Sequence, residues 1–307
     1  MSNNTIVKKI SLGLLLVGGL HQAQAQQDPQ YTQYMYNTQV INPAYAGSRG
    51  VLGIYGQYRN QWAGLEGAPK TANLSVNAPI GDSGLGLGVS FTNDRIGAMD
   101  ENNIAIDLSY AIDLNRDYKL AFGLKGTANL LSVDYTKLRI HHPIDRENIN
   151  NKFSPNVGAG MYLYSNKTYV GLSVPNFLTT DRYDDNIETA MRQKAHFYLM
   201  GGHVFDLSDN LQFKPAFLAK AVSGAPLQVD VTANFLFAEK FTAGVAYRVD
   251  ASFSGLVGFQ VTNDLFVGYS YDAETSKLAK YNSGSHEIFL RFELLNRKQR
   301  ISAPRFF

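Results

Sequence analysis

From residue 50 onward the chain alternates apolar and polar residues with a period of two. In residues 118–132, Leu120, Phe122, Leu124, Ala128 and Leu130 share one face, while Lys119, Gly123, Lys125, Thr127 and Asn129 take the other. Residues 227–237 set Leu227, Val229, Val231, Ala233, Phe235 and Phe237 against Gln228, Asp230, Thr232 and Asn234. The pattern recurs at 241–249 and 265–271. It closes in a last segment where Ile288, Leu290, Phe292 and Leu294 oppose Glu287, Arg291 and Glu293. Alternation over about ten residues is the signature of strands with a lipid face and a polar lumen face. About fourteen such strands are predicted, an even number that suits a single-chain barrel. Their spans are 50–60, 70–79, 84–93, 101–112, 118–132, 153–164, 167–174, 191–204, 210–221, 227–237, 240–249, 253–262, 264–272 and 284–294. Connections after even strands are short, while several after odd strands are long, notably 61–69, 133–152, 175–190 and 273–283. Short periplasmic turns and long outer loops alternate in this way. The expected fold is all-β: a transmembrane antiparallel outer-membrane β-barrel over residues 50–294, with both chain ends in the periplasm. A large soluble β-protein and a barrel of another strand count are the alternatives, because strand boundaries are poorly fixed by sequence.

Two segments precede the first strand. Residues 1–25 read as a signal peptide: Lys8 and Lys9 form a basic region, residues 10–20 are apolar, and Ala23-Gln24-Ala25 is a cleavage site before Gln26. The apolar run falls short of the roughly 20 residues that a membrane anchor needs. Residues 26–49 then form a short helical segment. Asp28 is a good N-cap, Pro29 suits the first helical position, and Tyr31, Tyr34, Met35 and Thr38 share one face. Asn42-Pro43 ends the helix. A helix this short is not stable alone, so it must dock. It either covers the barrel or serves as a periplasmic plug or partner epitope. A C-terminal tail, 295–307, follows the last strand into the periplasm.

Composition narrows the chemistry. The chain has no cysteine, so it has neither disulfides nor a thiol nucleophile. A formal charge of +2 points neither to nucleic acid nor to an acidic solvating tail. Tyr and Phe, 18 each, would supply aromatic girdles at the membrane interfaces. Alternate glycines at Gly84, Gly86 and Gly88 lack the spacing of a phosphate loop and instead leave room for a close neighbour or a bend. His141, His142 and Asp145, and the acidic run 181–186, read as solvated loop residues rather than metal or calcium sites. Lys194 and Arg192 share a face with His196 and make a basic lumen patch. Ser285 and His286 face opposite ways along a strand. No catalytic constellation, cofactor site or metal site is expected. The lumen face mixes Lys119, Lys125, Arg192, Lys194, Lys214, Lys220 and Arg291 with Asp107, Asp230, Glu287 and Glu293, a lining suited either to salt bridges that close the lumen or to a biased pore.

Several blocks carry a family resemblance. Residues 28–37, DPQYTQYMYN, and 41–47, INPAYAG, resemble the start of the PorP/SprF family. Residues 58–64, YRNQWAG, with 67–71, GAPKT, are similar to its next block. LGLG at 85–88 and NDRIG at 93–97 are similar to a third, and Pro304-Arg305-Phe306-Phe307 is similar to its terminus. The resemblance implies a non-enzymatic outer-membrane protein of the type IX secretion system of Bacteroidetes. It also implies partners: the translocon, periplasmic ring and lipoprotein components, and a secreted cargo with a C-terminal sorting domain, in some members a gliding adhesin. Candidate partner-binding residues are Tyr31, Tyr34, Met35, Tyr36, Asn42, Pro43 and Tyr45 on the N-terminal segment, Arg59, Trp62 and Lys70 near the first long loop, and Arg305, Phe306 and Phe307 in the tail. Trp62 has an equal claim as a membrane-interface anchor. A diffusion porin or hydrophobic-solute channel is the second reading. An outer-membrane hydrolase is the third, and it would need a Ser–His or Asp–His pair at one rim.

Overall fold

The computed structural model describes residues 31–137, 148–178, 180–181 and 192–294. The signal sequence, Asp28 and Pro29, the His141–His142–Asp145 group, most of the acidic run at 181–186, and Arg305, Phe306 and Phe307 lie outside the described residues.

The described chain is a closed antiparallel barrel. Its strands are β1 (Leu52–Asn60), β2 (Lys70–Pro79), β3 (Leu85–Ile96), β4 (Met99–Asp113), β5 (Lys119–Val133), β6 (Ile149–Tyr164) and β7 (Thr168–Val174). Two-residue strands β8 (Thr180–Asp181) and β9 (Arg192–Gln193) pair only with each other. The wall continues with β10 (His196–His203), β11 (Phe205–Ser208), β12 (Leu211–Val222), β13 (Gln228–Phe237), β14 (Phe241–Arg248), β15 (Ser252–Gln260), β16 (Leu265–Glu274) and β17 (Ser285–Leu294). The wall strands pair in chain order, with β10 between β7 and β12 and β11 also on β12, and β1 pairs with β17 from Leu52–Leu294 to Asn60–His286, closing the ring. Since β10 and β11 run consecutively along β12, they form one stave, and the barrel has fourteen.

Period-two patterning built this wall. Along β5, Phe122 and Leu124 point outward and are exposed, while Ala121, Lys125, Thr127 and Asn129 point inward and are buried. The outside is an apolar band that includes Leu74, Ile106, Leu172 and Val245, and the inside is lined by polar and charged groups. Several boundaries differ from expectation: β10 starts at His196 rather than 191, and the expected connection 205–209 carries β11. β3 and β4 run on to Ile96 and Met99, leaving only a tight turn at Gly97 (φ +58°), and β6 starts at Ile149. The polar residues there pair across strands, as Asn93 does with Asp100 and Asn102, so their low strand propensity is overridden.

The turns after β2, β4, β6, β11, β13 and β15 are short and share one rim, while the opposite rim carries the long loops after β1, β5 and β16 together with tight turns at 97–98 and 249–251. By the asymmetry of bacterial barrels, the short-turn rim is periplasmic and the long-loop rim outer.

The filled lumen and the outer vestibule

Residues 31–49 do not hang below the barrel. They run through it. The segment is a turn at 32–36, a four-residue helix α1 (Thr38–Ile41) and a 3-10 turn (Pro43–Tyr45). The single helix expected from Asp28 onward therefore does not form across 31–42. The reason is local competition: backbone N–H groups of Thr32 and Gln33, which a helix would engage or leave to solvent, are taken by the Glu287 carboxylate at 3.0 and 2.9 Å. Asn42 does end the helix, and its side chain caps the next turn by accepting from the Ala44 N–H at 3.0 Å.

The outer end of the segment is held by charge. Thr32 donates its hydroxyl to Asp272 at 2.7 Å, and Arg59 bridges Asp272 at 2.7 Å and Glu287 at 3.0 Å. Arg248 clamps Asp230 through two nitrogens and also donates to the Tyr31 carbonyl at 3.4 Å. Midway, Asn37 meets Asn73 at 2.7 Å, Gln39 donates to Asp107 at 3.0 Å, and Lys125 pairs with Asp107 at 3.1 Å.

The inner end is held by fit. Asn42 donates to the Met161 carbonyl at 3.0 Å, Ser173 to the Ile41 carbonyl at 2.6 Å, and Ser109 to the Ala46 carbonyl at 2.6 Å. Gly86 and Gly123 make this approach possible. A Cβ on Gly86 would run into the Ala46 carbonyl, and one on Gly123 into the Pro43–Ala44 peptide. At the periplasmic exit Arg49 grips Glu293 through Nε and through Nη2, the latter at 2.9 Å. Aromatic contacts fill the remaining space: Tyr36 lies 4.5 Å from Phe289 and 5.5 Å from Phe266, and Tyr45 meets Tyr162 edge-on at 5.6 Å.

This placement changes the reading of most candidate residues. Tyr31, Tyr34, Met35, Tyr36, Asn42, Pro43 and Tyr45 are all buried, so none forms the periplasmic contact surface expected of it. Because Tyr31 stands beside Arg248 near the long-loop end, the described segment begins in the outer half of the lumen and leaves it at the periplasmic rim. Its start is not periplasmic. Arg59 is buried and doubly ion-paired. Lys70 opens β2 and is exposed. Trp62 is half-buried, with φ +49°. Its indole N–H donates to Glu274 at 3.1 Å and its backbone N–H to Ser285 at 3.1 Å. It faces a cavity inside the rim, not the lipid belt.

That cavity is a vestibule of about 830 Å³ at the long-loop end, with Tyr31, Val40 and Ile41 in its lining and Trp62, Pro175 and Leu227 among its walls. Lys194 precedes β10 and donates to the Ser223 carbonyl at 3.0 Å. Ser285 faces inward to Trp62, whereas His286 meets the Tyr269 hydroxyl at 2.7 Å. Among the described residues no group of side chains could hold a metal ion.

The residues that hold the segment include several that the pattern alone did not single out: Thr32, Asn37, Gln39, Arg49, Arg248 and Asp272. Their signal was weak but present. Thr32, Asn37, Gln39 and Arg49 are polar residues interleaved with the aromatics of 31–49, facing lumen carboxylates and cations that alternation had already placed inside, while Arg248 and Asp272 are wall residues on β14 and β16.

Among solved structures, the chain is similar to CymD, a monoaromatic hydrocarbon channel, at 14% identity and a TM-score of 0.50, over 87% of this chain and 94% of that one. It is also similar to Omp33 of Acinetobacter baumannii, at 8% identity and a TM-score of 0.48, over 81% of this chain and all of the other. The CymD likeness is one of fold alone. No curated protein matches the chain significantly. The model of one family, described as type IX secretion system membrane protein PorP/SprF, matches residues 23–292. The chain thus belongs to the PorP/SprF family and is an outer-membrane component of type IX secretion.

Proposed function

We propose that this barrel is a non-enzymatic docking platform for a secreted partner, not a conduit. Family membership supplies the machinery, and the observation that carries the reading is the filled lumen. A chain that spends residues 31–49 on closing its own bore, with buried ion pairs at both ends of the segment, is built to stay shut. What it leaves open is the vestibule at the outer rim, framed by the loops after β1 and β16. A guest carrying a C-terminal sorting domain, adhesin-like in the family's manner, would seat there after leaving the translocon. The periplasmic rim would meet ring and lipoprotein components. Nothing in the described chain resembles a nucleotide site, so energy would come from elsewhere in the machine.

The test is a photo-crosslinking amino acid in place of Trp62, activated in intact cells. Crosslinks to a large secreted protein are the expected result. Crosslinks to lipid alone would overturn docking at this rim.

The second reading, a diffusion channel, draws on the fold shared with CymD. It requires a continuous bore. The contacts of Gly86 and Gly123 with the segment backbone weigh against one.

A further inference from the structure

The vestibule has its own charge character. Five carboxylates line it, Asp94, Glu101, Asp250, Asp272 and Glu274, alongside three cations, Arg59, Lys125 and Arg248. Each cation is matched by a carboxylate set behind the lining: Arg59 by Glu287, Lys125 by Asp107, and Arg248 by Asp230. Of these lining carboxylates, Asp250 and Glu274 stand in no ion pair among the described residues, whereas Asp272 shares Arg59 with Glu287. Glu274 accepts from an indole, a neutral donor. Asp272 uses one oxygen for Thr32 and Arg59, while its Oδ1 is buried without a hydrogen-bond partner. The Thr127 hydroxyl, on the same lining, is a second buried oxygen without one. Such oxygens seek a donor, because a buried polar group left without a hydrogen bond is costly. The lining also includes Trp62, Tyr31 and Leu227, which offer apolar and aromatic surface.

We propose that the vestibule receives a cationic segment: an arginine or lysine flanked by apolar residues, with the cation directed at Glu274 and Asp272. This deepens the docking reading and rests on it. A concave site with an excess of one sign concentrates the opposite charge, and a guanidinium carries five donors in a planar fork that matches carboxylates. Arginine is therefore favoured over lysine. An acidic guest would meet Asp250 and Glu274 at like charge.

Purified full-length protein in nanodiscs tests this with three labelled peptides, Leu-Arg-Phe-Arg, Leu-Gln-Phe-Gln and Leu-Glu-Phe-Glu, read by fluorescence polarisation. The arginine peptide is expected to bind at least about tenfold tighter than the glutamine one, a difference of about 1.4 kcal/mol. Most of that preference should vanish in Glu274→Gln and in Asp250→Asn, which remain heat-modifiable barrels, and persist in Asp113→Asn at the opposite rim. Equal binding of the three peptides, or no binding of the arginine peptide, would overturn the proposal. The crosslink at position 62 separates the two ideas. A secreted protein captured there without any arginine preference removes the cationic guest and keeps docking. An arginine preference with no secreted protein captured keeps the cation site and removes docking.

Discussion

Residues 31–37 and 42–47 lie in the same lumen, yet they are fixed by different physics. The first stretch is tied by carboxylates and guanidinium groups from β1, β13, β14, β16 and β17, the strands around the barrel seam. The second is wedged against β3, β4, β5 and β6, where missing side chains let backbone approach backbone. A charge network can be rearranged by a competing charge. A steric wedge cannot, because packed interiors yield little. The network also borders the vestibule, since Tyr31, Arg59, Arg248 and Asp272 belong to both, whereas the wedge lies deeper. The outer end is thus the part a guest can touch, and the inner end is the part that keeps the barrel shut.

Substitutions can break this contrast, starting with the largest effect. Glu287→Ala removes the acceptor of two backbone N–H groups and one of the two counterions of Arg59. Breaking a buried pair by removing one partner costs about 3–5 kcal/mol, so the temperature at which the barrel loses its heat-modifiable mobility should fall steeply. A variant as stable as the parent would mean the network is ornamental. Next comes Gly123→Ala. Overpacking costs about 1–3 kcal/mol and here should push the wedge outward. In a background carrying Ala44→Cys, where no native thiol interferes, a hydrophilic maleimide should label the glycine-to-alanine variant and spare the parent. Asn42→Ala loses a cap and a bond to the Met161 carbonyl, and caps are worth about 0.5–2 kcal/mol. Its melting shift should therefore be smaller than that of Gly123→Ala and leave labelling unchanged. Smallest is Trp62→Phe, which forfeits one hydrogen bond to the Glu274 carboxylate at a partly exposed site, where water can replace the lost donor. Stability should hardly move, while capture of a secreted partner drops. Equal capture would remove Trp62 from the docking surface.

Much of the wall was legible because period two is a local property. Strand-by-strand alternation places Lys125, Asp107, Glu287 and Glu293 inside without knowledge of any partner, and loop lengths orient the rims. The glycines at 86 and 88 already read as space for a close neighbour. The destination of 31–49 was not legible. Helical spacing of Tyr31, Tyr34 and Met35 implies a docked face, but the groups that reshape it come from residues more than two hundred positions away, such as Glu287 to Thr32. No local signal carries a contact of that separation. Trp62 was ambiguous for a similar reason: whether a rim tryptophan meets lipid or a cavity depends on Glu274 and Ser285 across the seam.

The barrel is closed by its own N-terminal segment. Planar-bilayer recording of the purified full-length protein tests it directly. No steady conductance above the bare membrane is expected from the parent, with openings appearing in Gly123→Ala. Stable porin-like conductance from the parent protein would contradict the account and return the chain to the class of diffusion channels.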